Sequence, residues 1–507
     1  MKTTSRREFL GGIGWTVSAA AIGCALLERA GLAALPRTFA ERLRFGRFDP
    51  LVDWLQATPA DEFLPLAVQK LRSGVPLQDL VAAAALANTR AWGGTYYDGY
   101  HTLMAMIPSV DMAAQMPAPL TALPVLKVLH RNARFLQDSG HANEDTLAPL
   151  APAIDMRAAD VVQSVRARDS AGAERDIAVV AARSLDEAYA QLQTVVRDDM
   201  NVHRVVLSWR AYDLLRFTGR EQAATMLRQC VRFCVDEDTG RAKRGQPDNE
   251  IRALLPELVR EHGLERRERG TRKADDAWIE RLAATVFSAE RAAAARAVAS
   301  ALAEGYDPED VGAALPLAAT QLLLNDPGLK QEAPGKPVGS VHGASTGVHA
   351  SDAANAWRHI ARVSDAAGAC ATLIAGAYHT AGQSGNVGAE ANDHDAEPCA
   401  LEEKPALLSE IDARIRGRDQ KGACQAARRY ASLGHAPDEL FALLIGFAVS
   451  EDGALHAEKY FRTAQEEHGA ARAPHKPLYL VALTRVMASH FGFPAPGCEE
   501  ARVLLTS

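Results

Sequence analysis

The chain has 507 residues, 48% hydrophobic and 23% charged, with only 6% aromatic and a formal net charge of −7. This is a globular balance, and a net negative charge without a basic stripe argues against nucleic acid as a partner. Beyond residue 35 no run of 18 apolar residues occurs, so nothing after it is expected to cross a membrane.

The first element in chain order is an address. Lys2 and Ser5-Arg6-Arg7-Glu8-Phe9-Leu10 open a mildly apolar stretch over 11–27, which Glu28 and Arg29 end. Paired arginines followed by Phe9, Leu10 and such a stretch predict a twin-arginine signal over 1–35, read by the twin-arginine translocase. The expected location is therefore periplasmic or extracellular. Gly31-Leu32-Ala33 offers a cleavage site before Ala34, and Ala21-Ile22-Gly23-Cys24 resembles a lipoprotein box. Membrane contact is expected only through the signal or a lipid on Cys24.

The body reads at the helical period, with no alternating strand pattern. Residues 66–88, 295–320 and 426–449 each give a helix stopped at Gly74, Gly305 or Gly434, a short turn, and a second helix. Glycine suits the left-handed position after a helix, and Pro76, Pro308 and Pro437 suit the start of the next. A fainter copy lies over 177–198, with Ser184 or Asp186 as the cap. Four helical units follow: 36–140, 155–236, 276–382 and 403–507. Such units bury their apolar faces only by stacking, so the expected fold is all-α, four pseudo-repeats of helical hairpins in an open solenoid or a closed α/α toroid. The charged interval 237–275 reads as an insertion, either a solvated loop or an exposed helix. The polar interval 382–402 carries Asp393, His394, Asp395 and Glu397, read as surface carboxylates or a weak metal patch. The cysteines after the signal, Cys230, Cys234, Cys370, Cys399, Cys424 and Cys498, support no specific disulfide; Cys230 and Cys234 stand one helical turn apart.

A histidine follows each hairpin: His101, His203, His342 and His456. An aspartate lies ten residues after the first three, Asp111, Asp213 and Asp352. If the units close on one another, these histidines converge. Neutral imidazoles in one place can ligate a transition metal or haem, or serve as acid and base near pH 7, with the aspartates orienting them from behind. The third unit adds His349, two turns after His342, with His359 and His379 beyond; this is the expected active region. A recurrent histidine can equally cap helices throughout a repeat array. No H-E-x-x-H, C-x-x-C-H, phosphate-binding glycine loop or G-x-S-x-G elbow around Ser345 names a chemistry.

These His-led helices resemble those of a group of exported, all-helical bacterial proteins. More distantly, Val341-His342-Gly343-Ala344 with Ala353 and Ala354, and Tyr100-His101-Thr102-Leu103, are similar to segments of questin oxidase-like proteins. That resemblance implies a helical oxidase that cleaves polycyclic aromatic ketones with oxygen. A twin-arginine signal departs from that mostly cytosolic family, and with it from NADPH as reductant. Two functional expectations follow: an exported oxidoreductase with a histidine-lined cavity for a small organic substrate, or a non-catalytic scaffold binding a protein or envelope component.

Overall fold

A computed structural model describes residues 42–92, 95–137, 147–150, 159–287, 290–333, 336–341, 345–387 and 399–507. The signal, Cys24 and the acidic patch at 393–397 lie outside the described residues, as does His342. The described residues form helices, with isolated bridges and no strand, and none of these helices is long and apolar enough to cross a membrane.

Sixteen helices frame the site. They are α1 (Phe63–Arg72), α2 (Leu77–Ala91), α3 (Tyr97–Ala113), α4 (Leu123–Gln137), α5 (Ser170–Arg183), α6 (Leu185–Val196), α7 (Val202–Asp213) and α8 (Ala223–Lys243). The second half continues with α9 (Arg291–Ala303), α10 (Pro308–Asn325), α11 (Thr346–Val363), α12 (Ala366–Ala381), α13 (Gln420–Ser432), α14 (Pro437–Ser450), α15 (His456–Ala470) and α16 (Lys476–His490).

The turns follow from local chemistry. Gly74, Gly305 and Gly434 have φ of +95°, +83° and +73°, the left-handed geometry that ends α1, α9 and α13. In the glycine-less copy the Ser184 hydroxyl accepts the Glu187 N–H at 3.2 Å and starts α6 as its cap. Pro308 and Pro437 open α10 and α14, where their missing N–H costs nothing. The interval after residue 237 is largely helical, the second of the two alternatives, with one face covered. α8 runs on to Lys243, and the helix Ile251–Glu261 buries Ile251, Leu255 and Leu258.

Contacts recur in the same order along the chain. The first helix of each set packs on the fourth: α1 on α4, α5 on α8, α9 on α12 and α13 on α16. The third helices face one another: α3 packs on α7, α7 on α11, α11 on α15 and α15 back on α3. Small residues permit this closeness. Residues 80–91 of α2 and 369–381 of α12 are buried all round, and a Cβ on Gly347 at the start of α11 would collide with the Leu323 backbone of α10. The first and last of these helix groups also meet. Lys127 of α4 donates to the carbonyls of Ala448 (3.0 Å) and Glu451 (2.8 Å) and pairs with the buried Glu458 at 2.6 Å.

Candidate functional site: a histidine cluster

The four third helices carry their histidines in the first turn or two: His101 on α3, His203 on α7, His349 on α11 and His456 on α15. All four rings meet. The centroids lie 4.8 Å (His101–His203), 5.4 Å (His203–His349), 5.3 Å (His349–His456) and 5.1 Å (His101–His456) apart. Ligand atoms of His101, His203 and His456 lie within 4.8 Å of one another, and His349 Nε2 is 3.3 Å from His456 Nε2.

Hydrogen bonding sets which nitrogens face the centre. His101 Nδ1 lies 2.9 Å from the Tyr97 carbonyl, so Nδ1–H donates to it and Nε2 keeps its lone pair. His456 Nδ1 likewise donates toward the Ala454 carbonyl at 3.1 Å, and its Nε2 faces His349. The turn that presents His456 contains two successive non-glycine residues at positive φ, Ala454 (+47°) and Leu455 (+65°). Left-handed geometry costs about 1–2 kcal/mol per such residue, strain that the surrounding packing must hold in place. His101 Nε2 and His203 Nε2 are buried without a hydrogen-bond partner, a condition native interiors rarely tolerate.

Burial pushes the pKa of His101 and His203 well below the usual imidazole value. It takes His349 to about 3, with Lys459 and Lys336 acting in the same direction. The His349 ring is hemmed in by neighbouring atoms although part of its surface, like that of His203, faces open space. These three imidazoles are therefore neutral lone-pair donors at pH 7. Tyr97 stacks on His101 with ring centroids 3.8 Å apart, and Tyr100 packs against both His101 and His203.

Lys459 belongs to this centre although the sequence reading passed over it. It follows His456 by one turn on the same face of α15 and is 2% exposed. Burial draws its ammonium down to about 8, against the pull of Asp352 and Glu458. The spacing His456-x-x-Lys459 was the available signal.

The aspartates divide. Asp352 is buried one turn beyond His349, where burial raises its pKa against the opposing charge of Lys459 and it accepts from Thr463 Oγ1 at 2.9 Å. Asp111 and Asp213 lie at the other end of the same helices, ten residues and about 15 Å past their histidines. There Arg462 pairs with Asp111, with Asp213 (3.2 Å) and with Glu466 (2.6 Å), and Arg216 holds Asp111 at 2.9 Å. They do not touch the imidazoles. His359 completes this group, 3.1 Å from Glu466 and stacked on Trp209. The helices α3, α7, α11 and α15 thus run in one direction, with histidines at the start and Asp111, Asp213, His359 and Glu466 gathered near the end. The ten-residue interval holds in all four once the third unit is counted from His349. Ser345 caps α11 by accepting the Val348 N–H.

No known protein family, curated protein or solved structure matches the chain.

Proposed function

We propose that His101, His203, His349 and His456 hold one transition-metal ion, and that the protein is an exported, metal-dependent oxidoreductase acting on a small organic molecule. Its body is then a closed α/α toroid of four repeats, each contributing one ligand from its third helix.

The observation that carries this reading is the His349–His456 contact. The edge of a tetrahedron drawn around a metal with bonds of about 2.0–2.1 Å is about 3.3–3.4 Å, which matches the 3.3 Å between the two Nε2 atoms. A shared N–H···N bond would satisfy those two rings alone. A cation satisfies all four, including the orphaned Nε2 atoms of His101 and His203. Rings packed about 5 Å apart leave no slot for a porphyrin, so a bare ion fits and haem does not. An all-imidazole set suits iron, copper, zinc or nickel. A redox-active member of that group would supply electron transfer or oxygen activation. The chain's part is to fix the donors: the Tyr97 and Ala454 carbonyls hold two tautomers.

The test is metal analysis of protein recovered after folding in its native host, together with single His→Ala variants at the four positions. Near-unit metal stoichiometry, lost in each variant while helical circular dichroism persists, is the expected result. Metal-free protein, or variants that lose fold and metal together, would return the histidines to a structural role and favour the scaffold alternative.

A further inference from the structure

A cleft of about 320 Å³ opens at the far ends of α11 and α15, away from the histidines, and falls within the size range of small-molecule sites, about 300–1,000 Å³. Its walls are the start of α10, the end of α11, the turn after α15 and the start of α16. Local chemistry builds it. Asp307 caps α10 by accepting the Glu309 N–H at 2.9 Å, which sets Glu309 and Asp310 in the first turn. Arg472 then ties the turn after α15 to Asp310 and to Asp276, each at 2.9 Å. Ala313, Ala470 and Ala471 contribute only methyl groups, so that side of the cleft is apolar and unfilled.

Hydrogen bonding in the cleft is one-sided. The acceptors are taken: both Glu309 oxygens accept from Arg362 at 2.9–3.1 Å, and Asp310 accepts from Arg472 and from the Ala274 N–H at 3.0 Å. Behind Arg358, Glu467 accepts from Asn355 at 2.9 Å and from Arg358 Nη1. Two donors are not. Tyr479 is 3% exposed, and its hydroxyl makes no hydrogen bond among the described residues. Burial raises its pKa, so the proton stays on. Arg358 is 5% exposed and its Nη2 makes no hydrogen bond; the Glu309 carboxylate stands 3.6 Å away, an ion pair beyond good hydrogen-bond length. Both donors remain accessible to a molecule in the cleft.

We propose that this cleft binds a small monocarboxylic acid, whose carboxylate accepts from the Tyr479 hydroxyl and Arg358 Nη2 and whose hydrocarbon part lies on Ala313, Ala470 and Ala471. The site is separate from the histidine cluster and needs no metal there. An ionised carboxylate is acceptor-only, which suits two unused donors, and its bond to a guanidinium is charge-assisted. An amide would turn its own N–H groups toward the same donors. The second charge of a phosphate would face Glu309 and Asp310.

Benzoate, benzamide and inorganic phosphate, titrated separately at fixed ionic strength into the full chain and followed by calorimetry, test the proposal. Benzoate should saturate one site per chain, at least about 10-fold more tightly than benzamide or phosphate. Tyr479→Phe removes only an unbonded hydroxyl, so it should weaken benzoate about 5- to 10-fold and leave the melting temperature of the free protein unchanged. Ala313→Leu fills the apolar side and should abolish binding. Benzoate that does not saturate, or benzamide or phosphate that binds as tightly, overturns the proposal. So does either variant binding benzoate like wild type, which would put the benzoate elsewhere. A clearly lower melting temperature for Tyr479→Phe would show the hydroxyl bonded within the fold, and overturns it as well.

Discussion

Trp357 donates its indole N–H to Nδ1 of His379 across 3.1 Å, and both rings are buried between α11 and α12. Burial, followed by the Arg291 charge, lowers the His379 pKa to about 4, so the ring is neutral in the folded chain and keeps the acceptor that the tryptophan needs.

A folded pKa below the unfolded value of about 6.5 means that the unfolded chain takes up a proton first as pH falls. The stability from His379 is therefore complete above that value and is lost between it and about 4, at about 1.4 kcal/mol per pH unit. In His379→Asn the Oδ1 atom stands near the former Nδ1 and still accepts from Trp357, without the titration. Urea unfolding across this pH range should show a shallower acid slope in the variant by one proton's worth. An unchanged slope would show that other groups carry the acid sensitivity.

Arg462 is the fastener of the far cluster, with Asp111, Asp213 and Glu466 all on one guanidinium. Arg462→Ala leaves Asp111 and Asp213 to Arg216 and leaves Glu466 to His359, and should cost about 1.5–3 kcal/mol. Asp111→Asn, at a third-exposed position, should cost under about 1 kcal/mol. Denaturant midpoints of the two variants decide the matter; similar losses would mean that the network is not organised around the arginine.

Gly347 and Gly434 separate two reasons for a glycine. A Cβ on Gly434 meets nothing, so Gly434→Ala should cost only the positive φ, about 1 kcal/mol. A Cβ on Gly347 would enter the Leu323 backbone and force α11 away from α10, so Gly347→Ala should cost about 3 kcal/mol or more. It should also weaken metal uptake, because His349 rides on the displaced turn. Melting temperatures that rank the two the other way would contradict the packing described.

The cysteines should be quiet. All six described thiols are free, and only Cys399 is not fully buried. Burial takes Cys234 and Cys424 up to about 12. A thiol reagent at pH 8 should label Cys399 first and the others only on unfolding, and reductant should leave the melting temperature unchanged. A reductant-sensitive melt would show a bridge and refute this.

Metal removal gives the last prediction. A ligand that binds only the folded chain stabilises it by mass action, so chelation should lower the melting temperature and added metal should restore it. In His349→Ala both shifts should shrink, since one of four donors is gone.

The hairpins were legible because helix-ending chemistry is local: Gly74, Gly305 and Gly434 do what their neighbours in sequence require. Three of the clustered histidines, His101, His203 and His456, were legible for the same reason, since each follows a recognisable hairpin. In the third unit the sequence offered two candidates, His342 and His349. His342 and His349 are seven residues apart in sequence, so the periodic pattern fits either, and the interval to Asp352 drew attention to the earlier one, which lies outside the described residues. Only the contacts with α7 and α15 place His349 in the cluster and His359 in the far network. Lys459 escaped notice because a lysine one turn from a histidine is ordinary on a solvated helix. Its burial is a tertiary property.

The far network also bears on when the proposed centre can exist during synthesis. The proposed donors come from residues 101, 203, 349 and 456, so a growing chain lacks the last imidazole until residue 456 has been made. A nascent or truncated chain can offer at most three, in helices whose far ends are not yet joined by Arg462. On the metal reading proposed above, loading waits for the last of these helices, and chains cut short before residue 456 are poor competitors for the ion.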